Sequence, residues 1–143
     1  AISTDIIVGF PAETEKEHHD SYLFCERQAF SRLHIFPYSK RPNTAAATMT
    51  PAVSPPIIHE RKQAFMLLAD RAAKAYARRW IGQTRPVLLE ALDASGNAEG
   101  YTPEYVRVRA TCHTGHCQRD IVPVRMTGEA KGMLLGTEST ELE

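Results

Sequence analysis

The 143-residue sequence predicts an α/β unit, then a long basic amphipathic helix, then a small antiparallel β-barrel. Three observations carry that expectation. Two apolar runs about 25 residues apart enclose a helical pattern, which is the mark of a βαβ unit. A stretch of roughly 23 residues then keeps one apolar and one basic face. Beyond Gly82 the apolar period changes to two, with turn residues between the runs.

Ile6-Ile7-Val8 is a short, β-branched apolar run, as expected of a parallel strand buried on both faces. It stops at Gly9, where a residue without Cβ either lets backbone approach a ligand or makes a tight βα turn. Thr14 and Glu17 have capping-box spacing, so a helix is expected from Glu15, with Tyr22, Cys25 and Ala29 on one stripe. His18 and His19 fall in its first turn, where a cation opposes the helix dipole; both are expected neutral and mostly exposed. Leu33-His34-Ile35-Phe36 reads as the second strand, parallel to the first through a right-handed crossover. Ligands of such sheets sit at the carboxyl ends of the strands. Phe36, Tyr38, Ser39, Lys40 and Arg41 follow at the same rim as Gly9. An aromatic, a hydroxyl and two cations there would suit an adenine ring and an anionic group, or form an ordinary surface loop.

Ser54-Pro55-Pro56 is a good helix start. Phe65, Leu68, Ala72, Tyr76 and Trp80 give the apolar face; Arg61, Lys62, Arg71, Lys74 and Arg78 give the basic one, and Gly82 is expected to end the helix. The chain's zero net charge hides an asymmetry: −4 over residues 1–31, +7 over 32–79 and −3 over 80–143. The middle is where a polyanion would land, although a basic face is equally the description of a solvated helix.

Val87-Leu88-Leu89, Tyr105–Arg109, Ile121–Met126 and Met133–Gly136 read as barrel strands, with turns at Ser95-Gly96-Asn97 and Thr127-Gly128-Glu129. Tyr101, Tyr105, Arg107, Arg109 and Arg125 would place aromatics and guanidiniums on neighbouring strands, a surface suited to RNA. Cys112-His113-Thr114-Gly115-His116-Cys117 contains zinc-type ligands, but its spacing matches no usual site, and a plain hairpin loop is the preferred reading. No apolar run approaches the roughly 18 residues of a membrane span. Three cysteines are too few for a disulfide framework, so a reducing cytoplasm is expected. A start without Met, close to a strand, suggests a fragment of a longer protein.

Taken together, "DIIVGFPAET", "RLHIFPYSKRPNT", "HERKQAFMLLADRAAKAYARRWIGQT" and "GYTPEYVRVR…IVPVRMTG" resemble, in this order, the radical S-adenosylmethionine methylthiotransferases. The resemblance implies that residues 1–53 are the C-terminal portion of that family's TIM-like catalytic barrel. Residues 54–81 would be a connecting helix and 82–143 its TRAM domain, an OB-like RNA-binding β-barrel. It implies a cofactor, S-adenosylmethionine, lined here by Ile7, Val8, Gly9, Phe36 and Tyr38. It also implies two iron–sulfur clusters in the full-length enzyme. The family's cluster motif Cys-x3-Cys-x2-Cys is absent, as are the ligands of the second cluster, so the chain alone is expected to be inactive, with no catalytic or metal residue of its own. The implied partner is tRNA at its anticodon stem-loop, met by Lys40, Arg41, Arg71, Lys74, Arg78 and the five barrel residues. "FPYSKR" is closest to the branch acting on threonylcarbamoyladenosine. The family's glycines stand as Ala12 and Asn43 here. The alternative expectation is a stand-alone RNA-binding module without catalytic activity.

Overall fold

A computed structural model describes residues 1–113 and 115–140. The chain divides into two compact units, Ile2–Ala72 and the chain from Ala73 onward.

In the first unit β1 (Ser3–Val8) and β2 (Arg32–Pro37) pair in parallel, with Ile6 beside Ile35 and Ile7 beside Phe36. Helix α1 (Glu15–Gln28) joins them, and its capping box forms as the spacing requires: Thr14 Oγ1 accepts from the Glu17 N–H, and Glu17 accepts from the Thr14 N–H at 2.8 Å. A second helix, α2 (Pro55–Arg78), brings Phe65 and Leu68 into a core with Val8, Cys25 and Leu33. The apolar run at 6–8 is not buried on both faces. Val8 is fully buried, whereas Ile7 is 55% exposed, because the helices cover only the face that Ile6 and Val8 share.

Two side chains depart from expectation for one reason. His18 is buried, its ring edge-on to Phe65 with centroids 5.4 Å apart, because it lies one turn before Tyr22 on the stripe that α2 covers. Burial, then the neighbouring Arg61 guanidinium, pushes the His18 pKa down, so the neutral form expected from sequence is favoured in a buried rather than an exposed site. Arg61 is not on the solvated face of α2; it is 6% exposed and ion-paired.

The second unit is a closed five-stranded barrel. Its strands are β3 (Thr84–Leu92), β4 (Asn97–Tyr101), β5 (Arg107–Thr111), β6 (Ile121–Ala130) and β7 (Met133–Glu138), in spatial order β3-β4-β5-β7-β6. Period-two alternation sends Val87, Leu89, Val108, Ala110, Val122 and Val124 inward. The barrel is not wholly antiparallel: β5 and β7 pair in parallel. They are not consecutive, and β6 lies between them in sequence, so the chain returns across the barrel before β7 begins. For the same reason the cysteine-containing segment 112–120 is a crossover, not a hairpin, since β5 and β6 do not pair. Thr127-Gly128-Glu129 is not a turn but lies within β6, where the register with β7 shifts between Met126 and Gly128. Tyr105 lies in the turn before β5, with φ 58°, rather than in the strand. At Gly100 a Cβ would strike the Leu88 carbonyl of the adjacent strand, so the barrel wall requires glycine there. Among the described residues no helix is long and apolar enough to cross a membrane.

Candidate nucleic-acid interface and strand-end rim

At the carboxyl end of β1 the chain turns through Gly9, with φ 75°. The side of Gly9 that a Cβ would occupy is filled by Ile58 of α2, so the missing side chain admits a helix. The Gly9 N–H donates to Glu13 Oε2 at 2.8 Å, and the same oxygen accepts from Arg61 Nη1 at 2.6 Å. Arg61 Nη1 also reaches the Glu13 carbonyl at 3.0 Å. One buried guanidinium thus ties α2 to the β1–α1 turn. Sequence periodicity placed Arg61 with the solvent-facing cations; the signal that could have separated it is Glu13, the acid that a buried arginine needs.

The structure splits the residues assigned to the cofactor rim. Ile7 and Phe36 are cross-strand partners on the uncovered face, 55% and 49% exposed, and form one apolar platform. Val8 points the other way, into the core, and its carbonyl accepts from the Tyr38 N–H at 2.8 Å. Tyr38 packs edge-on to Phe10 with centroids 5.4 Å apart, and its hydroxyl is buried without a hydrogen-bond partner. Lys40 and Arg41 are exposed on the following loop. Ala12 and Asn43, which stand where glycine is common in the resembled family, both have left-handed backbone, φ 66° and 63°.

On α2, Arg71 donates to the Tyr22 hydroxyl at 2.5 Å and lies 3.3 Å from Glu26. Arg78 pairs with Glu129 of β6 at 2.9 Å. Glu129 is held below the ordinary carboxylate range by the Gly132 N–H, then by Arg78 and Lys74. The basic face therefore carries much of its own counter-charge.

On the barrel, Tyr101 of β4 sits opposite Arg107 of β5, and Glu99 opposite Arg109. Both guanidiniums converge on the Glu99 carboxylate. Arg107 Nη2 donates to Oε2, and Arg109 donates to Oε1 through Nε at 3.0 Å and Nη2 at 2.6 Å. These contacts, Arg109 before Arg107, lower the Glu99 pKa. Arg125 is exposed on β6, whose neighbours are β3 and β7, so it does not share the β4–β5 face. Tyr105 is 74% exposed. An arginine–aromatic contact outside the predicted site residues joins the turn after α2 to the barrel's first strand: the Arg85 guanidinium of β3 lies 4.8 Å from the Trp80 ring centroid and pairs with Glu104.

In the crossover, Glu138 accepts from the His113 N–H at 2.7 Å, and lies 3.0 Å from His113 Nδ1 and 2.9 Å from His116 Nε2. Thr114 lies outside the described residues. The hydrogen bond to Glu138 raises the His116 pKa. Cys112 is in the barrel core, Cys117 is exposed and Cys25 is in the core of the first unit. Among the described residues no group of three or more His, Cys, Asp or Glu side chains is arranged to hold a metal ion. A cluster needs several thiolates converging, and these cysteines do not fit one.

No family model matches the chain. It is 38% identical to the threonylcarbamoyladenosine tRNA methylthiotransferase of Bacillus subtilis, over 76% of this chain and 25% of that protein. It is 33% identical to the tRNA-2-methylthio-N(6)-dimethylallyladenosine synthase of Chloroflexus aurantiacus, over 95% of this chain and 30% of that protein. It is 31% identical to the ribosomal protein uS12 methylthiotransferase of a Synechococcus species, over 96% of this chain and 33% of that protein. The chain spans about a quarter to a third of the length of these relatives. Across nearly its whole length, then, the chain belongs to the radical S-adenosylmethionine methylthiotransferase family.

Proposed function

We propose that this chain is the tRNA-binding part, and one side of the cofactor pocket, of an enzyme that methylthiolates threonylcarbamoyladenosine beside the tRNA anticodon. The observation that carries the RNA half is the outer face of β4 and β5, where Tyr101, Arg107 and Arg109 stand side by side. Aromatic rings stack on unpaired bases, and guanidiniums take phosphates. Lys40, Arg41, Arg71, Lys74 and Arg78 are assigned as separate cationic contacts with tRNA, and Tyr105 and Arg125 as further ones. The choice of substrate is supported by "FPYSKR" and by the name of the Bacillus relative.

The cofactor half rests on Ile7 and Phe36, an exposed apolar cross-strand pair near the strand ends where an adenine ring would lie, with Gly9 and Tyr38 assigned as further members of the rim. When bound, S-adenosylmethionine and the clusters supply the radical chemistry; no residue of this chain is assigned an acid or base role. The chain is proposed to be cytoplasmic and inactive unless joined to the cluster-bearing part of the same polypeptide. A reading frame that continues upstream into Cys-x3-Cys-x2-Cys agrees with this, whereas an in-frame start at Ala1 favours a free-standing RNA-binding module.

RNA binding is tested by filter binding of an anticodon stem-loop over a salt series. Affinity should fall with salt, because phosphate contacts release counterions. Arg71→Glu with Lys74→Glu should weaken it by about tenfold or more. A flat salt response, or no change in the double variant, would remove the helix from the interface.

A further inference from the structure

We propose that Arg107 and Arg109 form a phosphate-ester subsite that the chain keeps filled with its own anion, Glu99, and that RNA enters by exchanging a backbone phosphate for this carboxylate. The inference rests on the reading of the barrel face as RNA-binding.

The geometry is that of a ligand site already occupied. Residues alternate in and out along β5, so Arg107 and Arg109 leave the barrel on the same side. Cross-strand pairing sets Glu99 directly opposite Arg109 and two residues from the position facing Arg107. Each guanidinium uses a separate oxygen of the one carboxylate. A carboxylate and a phosphodiester offer a guanidinium the same thing: two anionic oxygens in a plane that its N–H fork can meet. Glu99 is 28% exposed, while Arg107 and Arg109 are 55% and 57% exposed, so the acid sits low between two arginines that still face solvent. Arg107 spends one of its five N–H donors on Glu99 and Arg109 two, leaving donors for an incoming anion. Glu99 and Arg109 form part of the wall of an open cleft that also includes Ala91, Leu92, Asn97 and the Asp93 carboxylate, so the arginine pair is reachable from solvent on that side.

An internal anion at this place has a consequence for selectivity. Two guanidiniums at i and i+2 on an open strand would repel each other and take up any small anion. With Glu99 between them, a ligand must offer more than one charge to compete. A polyanion does so, because its neighbouring phosphates and a base stacked on Tyr101 act together, whereas free phosphate brings one group only.

The test is fluorescence anisotropy of the full chain with a labelled anticodon stem-loop RNA at fixed low salt, with inorganic phosphate as a competing small anion. Glu99→Gln keeps the shape and removes the charge. It should tighten RNA binding about three- to tenfold, the scale of two exposed ion pairs released, and make binding more sensitive to inorganic phosphate. Glu99→Ala should move in the same direction. Glu90→Gln makes the same change in net charge at the exposed bulge of β3 beside β4, while Glu99 alone takes the contacts of both guanidiniums, and should tighten binding clearly less than Glu99→Gln does. Arg107→Gln with Arg109→Gln should weaken binding and flatten its salt dependence.

Equal tightening by Glu99→Gln and Glu90→Gln would overturn the exchange, since net charge alone would then explain it. Weaker or unchanged binding by Glu99→Gln would overturn it too, and would make Glu99 a residue that merely orients the arginines. If the wild type binds with a salt slope while Glu99→Gln gains nothing, the exchange fails and the RNA-binding reading stands. If neither protein binds RNA, both fail together.

Discussion

Among the described residues every strand of the barrel has two hydrogen-bonded neighbours, whereas β1 and β2 have only each other. Closure leaves the barrel no free edge, and it draws its core from all five strands with a helical residue, Ala77, and two loop residues, Val106 and Cys112. The first unit has free strand edges, one uncovered sheet face, and a core that depends on Phe65 and Leu68 of α2. The two units are therefore built to different tolerances. One spreads its stability over twelve buried residues, and the other concentrates it in five.

The largest expected effect tests that concentration. Phe65 is 1% exposed and meets the rings of both His18 and Tyr22. Phe65→Ala should cost about 3–5 kcal/mol, since it removes the largest side chain of a core that has only Leu68 as its other buried α2 residue among those described. Hydrogen exchange should show the amides of β1 and β2 losing protection while those of β3–β7 keep theirs. Leu134→Ala in the barrel should do the reverse. If either substitution removed protection from all strands at once, the separate accounts of the two units would be wrong.

Charge divides the units in the same way. Arg61 and Glu13 are 6% and 13% exposed, and the pair also holds the Gly9 N–H. Arg61→Met strands a buried carboxylate and should cost about 3 kcal/mol. Arg107→Met breaks a more exposed pair on the barrel and should cost about 1 kcal/mol at most. Urea unfolding of the two variants ranks them, and the opposite order would mean that Glu13 escapes to water when its partner is lost.

Much of this was legible in the sequence where a local rule acts alone. The capping box of α1, the parallel pairing implied by a strand–helix–strand spacing, and the long amphipathic helix each follow from short-range chemistry. What sequence reading missed was set by contacts distant in the chain. β4, Asn97–Tyr101, carries Asn, Ala, Glu and Gly, poor strand formers, and is a strand because β3 and β5 pair on either side of it. Arg61 sits at a helical position that reads as polar and is buried because Glu13 lies 48 residues away in sequence and beside it in space. The outward placement of Arg107 and Arg109 was legible, since alternation along β5 alone projects them to one side, whereas that of Tyr101 depends on β4. Glu99, which neutralises both arginines, was not legible, because β4 itself was not seen.

The two histidines that face acids or burial should respond to pH with opposite signs. His116 has its pKa raised by Glu138, so its contribution is present below about pH 6.5 and is lost as pH rises through the folded value. His18 has its pKa lowered by burial and then by Arg61, so its contribution is present above about pH 6.5 and is lost as pH falls through the folded value. Raising the pH from about 5.5 to 8 should therefore steady the first unit and loosen the 112–120 crossover. Proton NMR of the two ring signals, with exchange of the neighbouring amides, reads each separately. Glu138→Gln should shrink the crossover's response, leaving Asp120 at 3.6 Å as the remaining acid beside His116, and leave that of His18 unchanged; a change in both would contradict the assignment.

The smallest effect concerns two residues in the left-handed region, one in each unit. Ala12 has φ 66° in the β1–α1 turn, and Lys131 has φ 55° in the turn between β6 and β7. A left-handed residue with a Cβ is strained by about 1–2 kcal/mol, and glycine relieves that strain while adding freedom to the unfolded chain. Ala12→Gly and Lys131→Gly should thus each stabilise by about 0.5–1 kcal/mol, read as a small rise in unfolding temperature. The gain from Ala12→Gly should appear in the amides of β1 and β2, because the Ala12 N–H donates to the Pro51 carbonyl at 2.8 Å and fixes the turn that Glu13 and Arg61 clamp. That from Lys131→Gly should appear in β6 and β7. A loss of stability at Ala12 would mean that the clamp, rather than the backbone preference of residue 12, already determines the turn, and that the strain is borne in the native state without being relieved by glycine.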